Sequence, residues 1–371
     1  FMEKIFGYYY EWWKNIDKFI FFIVFLLFLL GLFFSLVSTS IIASDKLNTN
    51  TYYFFIKHLF FIFLGIFLII SFSFIDQKKL LNISKILFVL FFITLALIPF
   101  IGTEVKGSTR WLDIPLFPRF QPIELLKPFF IIMVSLILSL KDKNNLYIKY
   151  LLSLSIVIPV ILFLISQPDI GQTLLIILIW LSLVFVSGIN LIFFFSFFLI
   201  IFSILTYLIF FLPKFEYIRI RLSSFMDPNS GNNYQSEKAS EAISNGGFFG
   251  KGIGEGKLNS RIPEAHTDYI ISVIAEEFGI IIVIIIMILF LIFSYKVIQK
   301  VYYHKDNIAK LILVGAVTLI LAQVFIHIGV NLRILPTTGM TLPFLSYGGS
   351  SIISTSILAG IILNFTKRKL N

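Results

Sequence analysis

The 371-residue chain contains no cysteine. That excludes disulfides, a thiolate nucleophile and any Cys-ligated metal, whatever compartment its loops face. Charge is scarce as well. Asp, Glu, Lys and Arg make up 13% of the residues, about half the share in soluble domains. With 58% hydrophobic residues, neither an ordinary soluble domain nor a disordered chain fits, and a membrane-embedded protein is the class left. Alternating strand patterns are missing too. The long uninterrupted apolar runs exclude a transmembrane barrel. No small-residue cleavage site follows the first run, which is too long for a signal-peptide core and reads as a retained anchor. Phe1 precedes Met2, the expected natural start. The 45 Phe, with 23 Lys against 7 Arg, carry the bias of an AT-rich genome, so aromatic richness is read mostly as filler.

A helical span takes roughly 20 apolar residues. Apolar runs bounded by polar, Gly or Pro signals predict ten, at 19–37, 54–76, 86–102, 122–140, 150–166, 170–187, 190–212, 268–295, 309–332 and 343–364. The expected fold is therefore an all-α integral membrane protein. A single ten-helix domain over 19–371 follows a cytoplasmic interfacial segment over 1–18, where Trp12 and Trp13 stand among tyrosines and lysines. With the N-terminus inside, fifteen Lys and Arg fall in inner connections and five in the four short outer ones. That bias predicts N-in and C-in. The formal net charge of +10 is accordingly read as orientation, not as a nucleic-acid partner.

One long stretch is polar, residues 213–267, and the topology places it outside. A turn signal at Asp227-Pro228-Asn229 precedes a short helix near 234–243. Glycines then crowd around Lys251, from Gly246 to Gly256. This is no Walker A loop, since Gly252 follows the lysine, and no dinucleotide fingerprint, since no strand precedes it. Two readings stand: glycines that let the chain turn tightly, or backbone N–H groups that hold an anionic headgroup with Lys251.

Ionisable residues at membrane depth are costly and default to function. Asp268 is expected to open the eighth span. Asp268, Ser272 and Glu276 are spaced i, i+4, i+8 and share a helix face, with Glu277 turned about 100° away. Asp268 is read either as a helix N-cap or as a general base, an ionised and partly desolvated carboxylate. Glu124 and Lys127, at i and i+3, form an internal ion pair that joins helices or shapes a cavity. Asp169 reads as an N-cap. His58 and His304 read as interface residues, and His327 as a packing residue. The last outer connection, Asn331 to Ser351, holds two prolines and three glycines in a membrane-facing stretch. Such backbone must be buried in protein or line a cavity.

All these polar features converge on the outer face. Two classes fit: a transferase for a lipid-linked substrate at that face, or a transporter moving a polar headgroup across. A transporter calls for midplane charges and paired broken helices, and no internal repeat is visible.

Four segments resemble the FtsW/RodA/SpoVE (SEDS) family of bacterial cell-wall proteins. They are Arg110-Trp111 with Phe120 to Lys127; Gln167-Pro168-Asp169-Ile170-Gly171; Gly246 to Gly254 with Pro263 to Ile270 and Glu276 to Gly279; and Asn331 to Ser351. The resemblance implies a peptidoglycan glycosyltransferase of the bacterial inner membrane, polymerising lipid II and releasing undecaprenyl diphosphate. It implies that Asp268, after His266-Thr267, deprotonates the acceptor hydroxyl. Lys251, Arg261 and Arg333 are expected at the diphosphate, whose departing charge needs a clamp. His266, Glu276 and Ser346 complete the expected substrate contacts, while Glu124, Lys127 and Asp169 shape the cavity. A divalent cation, Mg or Mn, is expected from the family alone, and no metal cluster is readable. Expected partners are a class B penicillin-binding protein and other divisome membrane proteins. The division branch is expected over the elongation branch, on Gly254-Glu255-Gly256, Ala275 to Gly279 and Leu335 to Pro343. Arg333 departs from the family pattern, which more often has glycine there.

Overall fold

The computed structural model describes residues 2–39, 52–105, 108–115, 118–140, 147–226, 234–256 and 265–367. Fourteen α-helices appear among them. The first three are α1 (Met2–Asn15), α2 (Lys18–Thr39) and α3 (Tyr53–Phe74). After α4 (Gln77–Ile101) come two short antiparallel strands, β1 (Thr103–Val105) and β2 (Ser108–Trp111). Next are α5 (Pro122–Leu138), α6 (Ile148–Ser166), α7 (Ile170–Val186) and α8 (Leu191–Phe211). The polar stretch holds α9 (Glu216–Met226) and α10 (Tyr234–Gly246). The last four are α11 (Ile270–Phe278), α12 (Ile280–Tyr303), α13 (Asn307–Asn331) and α14 (Gly349–Thr366). Eight of these, α2, α3, α4, α6, α8, α12, α13 and α14, are long and apolar enough to cross a membrane, and α7 is a shorter apolar helix.

The helices start where polar side chains cap them. Asp17, Asp76, Asp169, Asn190 and Asp306 each accept a hydrogen bond from a backbone N–H in the first turn of the helix that follows. Helix α14 is the axis of the bundle: from Ser350 to Thr366 only Ile353 is not buried. It packs on α3 so closely that a Cβ at Gly360 would lie 2.8 Å from the Phe72 side chain. Small residues at such crossings let helices meet where apolar lipid offers no hydrophobic drive. At the other extreme, α8 has no buried residue.

Three expectations change. The span expected at 268–295 is two helices, broken at Gly279. This residue holds φ of +83°, and a Cβ there would lie 2.1 Å from the Phe248 carbonyl. The span expected at 343–364 starts only at Gly349, and the one expected at 86–102 starts at Gln77. The hairpin β1–β2 and the helix α9 were not foreseen: three- and four-residue strands carry no readable period. The loop 227–233, and Arg261 within 257–264, lie outside the described residues.

Candidate active site

A cavity of about 790 Å³ opens at one end of the bundle. Lys57 of α3, Arg110 of β2, Glu124 of α5, Asp169 and Gln172 at the start of α7, Arg221 of α9 and Asp268 all line it. Residues 337–339, Tyr347 and the first turn of α14 complete the wall.

Asp268 is not part of a helix. It sits in the turn before α11, whose first helical residue is Ile270. The helix-face argument that linked it to Glu276 therefore fails, because the i, i+4, i+8 ladder needs continuous helix from Asp268 onward. Glu276 is buried and does not line the cavity. Asn331, fully buried at the end of α13, secures the turn instead. Its amide nitrogen donates to the Asp268 carbonyl at 3.1 Å and to the His327 carbonyl at 2.8 Å. Its oxygen accepts from the Ser272 N–H at 3.2 Å and hydroxyl at 2.7 Å. On the other side a Cβ at Gly339 would lie 3.5 Å from Asp268 Oδ2.

The broken segment 332–348 threads back beside this turn. The Ser346 hydroxyl donates to the Thr267 carbonyl at 2.7 Å and accepts from the Leu342 N–H. The Tyr347 N–H donates to the His266 carbonyl at 3.1 Å. The His266 ring packs against Phe54 and Tyr347, which also touch each other. Ser346 and the His266 backbone thus tie two segments together, and neither side chain lines the cavity.

A buried polar network also borders the cavity. Glu124 Oε1 accepts from Lys127 at 2.8 Å and from Gln172 at 2.6 Å. Glu124 Oε2 is buried without a partner. Lys127 is fully buried and lies 3.5 Å from Gln323 Oε1. Asp169 accepts from the Gln121 amide at 3.0 Å and pairs with Arg110 at 3.5 Å. Arg110 also donates to the Gln167 and Pro168 carbonyls. The expected ion pair and the expected Asp169 cap are both present, and Glu124 and Asp169 line the cavity while Lys127 lies buried behind it.

Two expected diphosphate contacts lie elsewhere. Lys251 is exposed and outside the cavity lining, and its N–H donates to the Glu276 carbonyl at 2.9 Å. Arg333 pairs with Glu237 of α10 at 3.9 Å, also outside that lining. Several N–H groups of the glycine stretch around Lys251 bond to the protein itself. Gly252 N–H donates to the Glu277 carbonyl and Gly254 N–H to the Glu277 carboxylate. A Cβ at Gly246 or Gly250 would strike the α11 backbone at 1.9 or 2.1 Å. The tight-turn reading accounts for these glycines. In place of Lys251 and Arg333, the cavity carries the basic residues Lys57, Arg110, Arg119 and Arg221. Sequence reading missed Lys57 and Arg221, one inside an apolar helix and the other inside an unforeseen one.

Residues 17–371 match the family model of the FtsW/RodA/SpoVE cell cycle proteins. The chain belongs to the FtsW/RodA/SpoVE family. Similar proteins include those named "Probable peptidoglycan glycosyltransferase FtsW" in Caulobacter vibrioides and Buchnera aphidicola subsp. Schizaphis graminum. The first is 33% identical over 274 residues, covering 73% of this chain and 69% of the relative. The second is 36% identical over 291 residues, covering 76% and 81%. A solved structure described as the structural coordination of polymerization and crosslinking by a peptidoglycan synthase complex superposes with TM-score 0.75. It is 25% identical, covering 95% of this chain and 97% of that one. RodA of Thermus thermophilus shares the fold at TM-score 0.69 and 24% identity, over 95% and 97% of the two chains. This FtsW/RodA/SpoVE chain therefore keeps the family fold nearly end to end.

Proposed function

We propose that this chain is a peptidoglycan glycosyltransferase that polymerises lipid II for septal wall synthesis in division. The observation that carries the reading is the cavity at one end of the bundle. Asp268, its backbone held by Asn331, lines that cavity together with polar and basic side chains. The relatives at 33% to 36% identity are named for that activity.

In this reading the eight long helices span the bacterial inner membrane with α5 and α7, ten in all. The chain is N-in and C-in, and the cavity faces the outer leaflet. The Asp268 carboxylate takes the proton of the acceptor sugar hydroxyl as its oxygen bonds to the donor's anomeric carbon. The bond from that carbon to the diphosphate oxygen breaks, and lipid diphosphate leaves with the electron pair. Glu124, Lys127 and Asp169 keep the cavity polar and rigid. A divalent cation, magnesium or manganese, would arrive with the diphosphate, whose oxygens suit hard cations. Among the described residues no three of His, Cys, Asp and Glu gather to hold a metal, and Glu124 and Asp169 already face Lys127 and Arg110. No step here depends on the cation.

The class of partner is a class B penicillin-binding protein that crosslinks the new strands, within the divisome. The test supplies labelled lipid II to the purified chain with such a partner. Glycan strands are the expected product. Translocation of lipid II across a liposome without strands would instead make the chain a flippase. Depletion in cells separates the branches: filaments mark division and spheres mark elongation.

A further inference from the structure

Helix α13 carries three buried polar side chains along one face, Gln323, His327 and Asn331, each four residues from the next. Polar groups at membrane depth are costly unless they are bonded. Each of these three spends a donor on the main chain of a stretch that is not helix. Gln323 Nε2 donates to the Thr341 carbonyl at 3.0 Å, His327 Nδ1 to the Met340 carbonyl at 2.7 Å, and Asn331 Nδ2 to the Asp268 carbonyl at 3.1 Å. A carbonyl only accepts, so the His327 proton sits on Nδ1. Nε2 of that ring is buried without a hydrogen-bond partner, so the bond to Met340 is the ring's one polar contact.

Broken backbone at membrane depth needs such partners for its carbonyls. The two carbonyls held by Gln323 and His327 belong to the residues directly after Gly339. Gly339 has φ of +69°, and a Cβ there would lie 3.5 Å from Asp268 Oδ2. The main chain beside the Asp268 carboxylate is therefore fixed from α13, as the Asp268 carbonyl is. The same segment is packed against α7: a Cβ at Gly171 would lie 2.9 Å from Thr338 Cβ and 3.1 Å from Met340 Cε. Gln323 is itself oriented. Its Oε1 lies 3.5 Å from Lys127 Nζ, which pairs with Glu124 at 2.8 Å. With the amide oxygen turned to the ammonium, the amide nitrogen is left for Thr341.

We propose that Gln323 and His327 are positioning residues, which hold the main chain at 339–341 against Asp268. The assignment rests on the transferase reading above and deepens it. It gives His327 a task beyond packing.

The test compares Gln323→Leu, His327→Leu and His327→Asn with the parent chain, in nanodiscs with a class B penicillin-binding protein. Two readouts are taken: turnover of labelled lipid II normalised to the folded fraction, and amide hydrogen exchange over residues 337–342. Both leucine variants are expected to lower kcat about tenfold or more while the apparent KM stays within about twofold. Both should speed the exchange about tenfold, the loss of one buried hydrogen bond. His327→Asn, whose amide nitrogen stands where Nδ1 stood, should bring both readouts back to within about threefold of the parent. Ile312→Ala, a cavity variant about three turns earlier in α13, should lower Tm and leave kcat and this exchange unchanged. Parental kcat and exchange in both leucine variants overturn the assignment. So does a His327→Asn variant as slow as His327→Leu, because the donor would then not matter, and so does a raised KM at parental kcat. A parent chain that makes no glycan removes the transferase reading instead. The exchange then decides alone: faster in the leucine variants, it leaves the clamp on 339–341 standing, and unchanged, it removes that too.

Discussion

Asn331 holds Asp268 by its backbone: one buried amide at the end of α13 donates to the Asp268 carbonyl at 3.1 Å. Its oxygen takes both the N–H and the hydroxyl of Ser272 in the first turn of α11. The peptide behind the Asp268 side chain is thereby fixed where the residue lines the cavity. Preorganisation of this kind is worth much in catalysis, because small misplacements of a reacting group cost up to about a hundredfold in rate.

Asn331 is thus a positioning residue. Asn331→Ala should lower kcat for lipid II polymerisation by roughly ten- to a hundredfold while the apparent KM stays within about twofold. Turnover normalised to the folded fraction is the readout, since general loss of fold would lower the active fraction without lowering turnover per folded molecule. A parallel rise in KM would instead place Asn331 in substrate binding.

The buried pair of Glu124 and Lys127 makes a stability prediction. Glu124→Gln leaves the fully buried Lys127 ammonium without its counter-charge. Removing one partner of a buried pair costs about 3–5 kcal/mol, whereas replacing both by apolar groups is often neutral. Thermal unfolding in detergent should therefore show a large loss for Glu124→Gln and a smaller one for the double variant Glu124→Leu, Lys127→Met. Activity of the double variant then reports the cavity role separately from the structural one.

Two glycines separate backbone strain from collision. Gly254 and Gly279 both hold positive φ, +80° and +83°. A Cβ at Gly254 meets open space, while one at Gly279 falls 2.1 Å from the Phe248 carbonyl. Gly254→Ala should cost about 1–2 kcal/mol for its left-handed backbone alone. Gly279→Ala should cost more and loosen the 247–251 turn from α11. Folded yield and Tm of the two variants, side by side, decide it. Equal losses would mean that the close approach at Gly279 is not needed.

At the opposite end of the bundle, Lys300 of α12 reaches Asp17 at 2.7 Å. Burial alone would raise the Asp17 carboxyl. The Lys300 hydrogen bond and charge, with the Ile20 and Phe19 N–H donors, outweigh it and hold the group below its ordinary range. A carboxyl depressed in the folded state stabilises above its unfolded pKa, about 3.9, and that contribution fades as pH falls through the folded value. The Tm gap between the parent chain and Asp17→Asn should be constant above about pH 5 and narrow below about pH 4. Because both side chains are partly exposed, the gap should be small. A gap that widens on acidification would contradict the assignment.

Most helices were legible because apolar length is a strong signal. The runs behind α3, α8 and α13 end close to where they were expected, at polar caps such as Asn190 and Asp306. The break at Gly279 was not legible, because a single glycine inside an apolar run reads as tolerated helix. What forces it is the Phe248 backbone, thirty-one residues earlier in the chain. Asp268 was identifiable from its neighbours in sequence, but its support was not. Asn331 and Ser346 reach Asp268 and Thr267 across separations of 63 and 79 residues. Lys251 and Arg333 were attractive only by charge and proximity in sequence. The Lys251 backbone N–H bonds to the Glu276 carbonyl, the Arg333 side chain pairs with Glu237, and neither residue lines the cavity.

The central claim is that Asp268 removes the proton from the acceptor hydroxyl. The most direct test compares the parent chain with Asp268→Asn, each reconstituted with a class B penicillin-binding protein and given labelled lipid II. Loss of a general base is expected to cut polymerisation by about a hundred- to ten-thousandfold, with undecaprenyl diphosphate binding and Tm unchanged. Glycan strands made by Asp268→Asn at the parental rate would contradict the account.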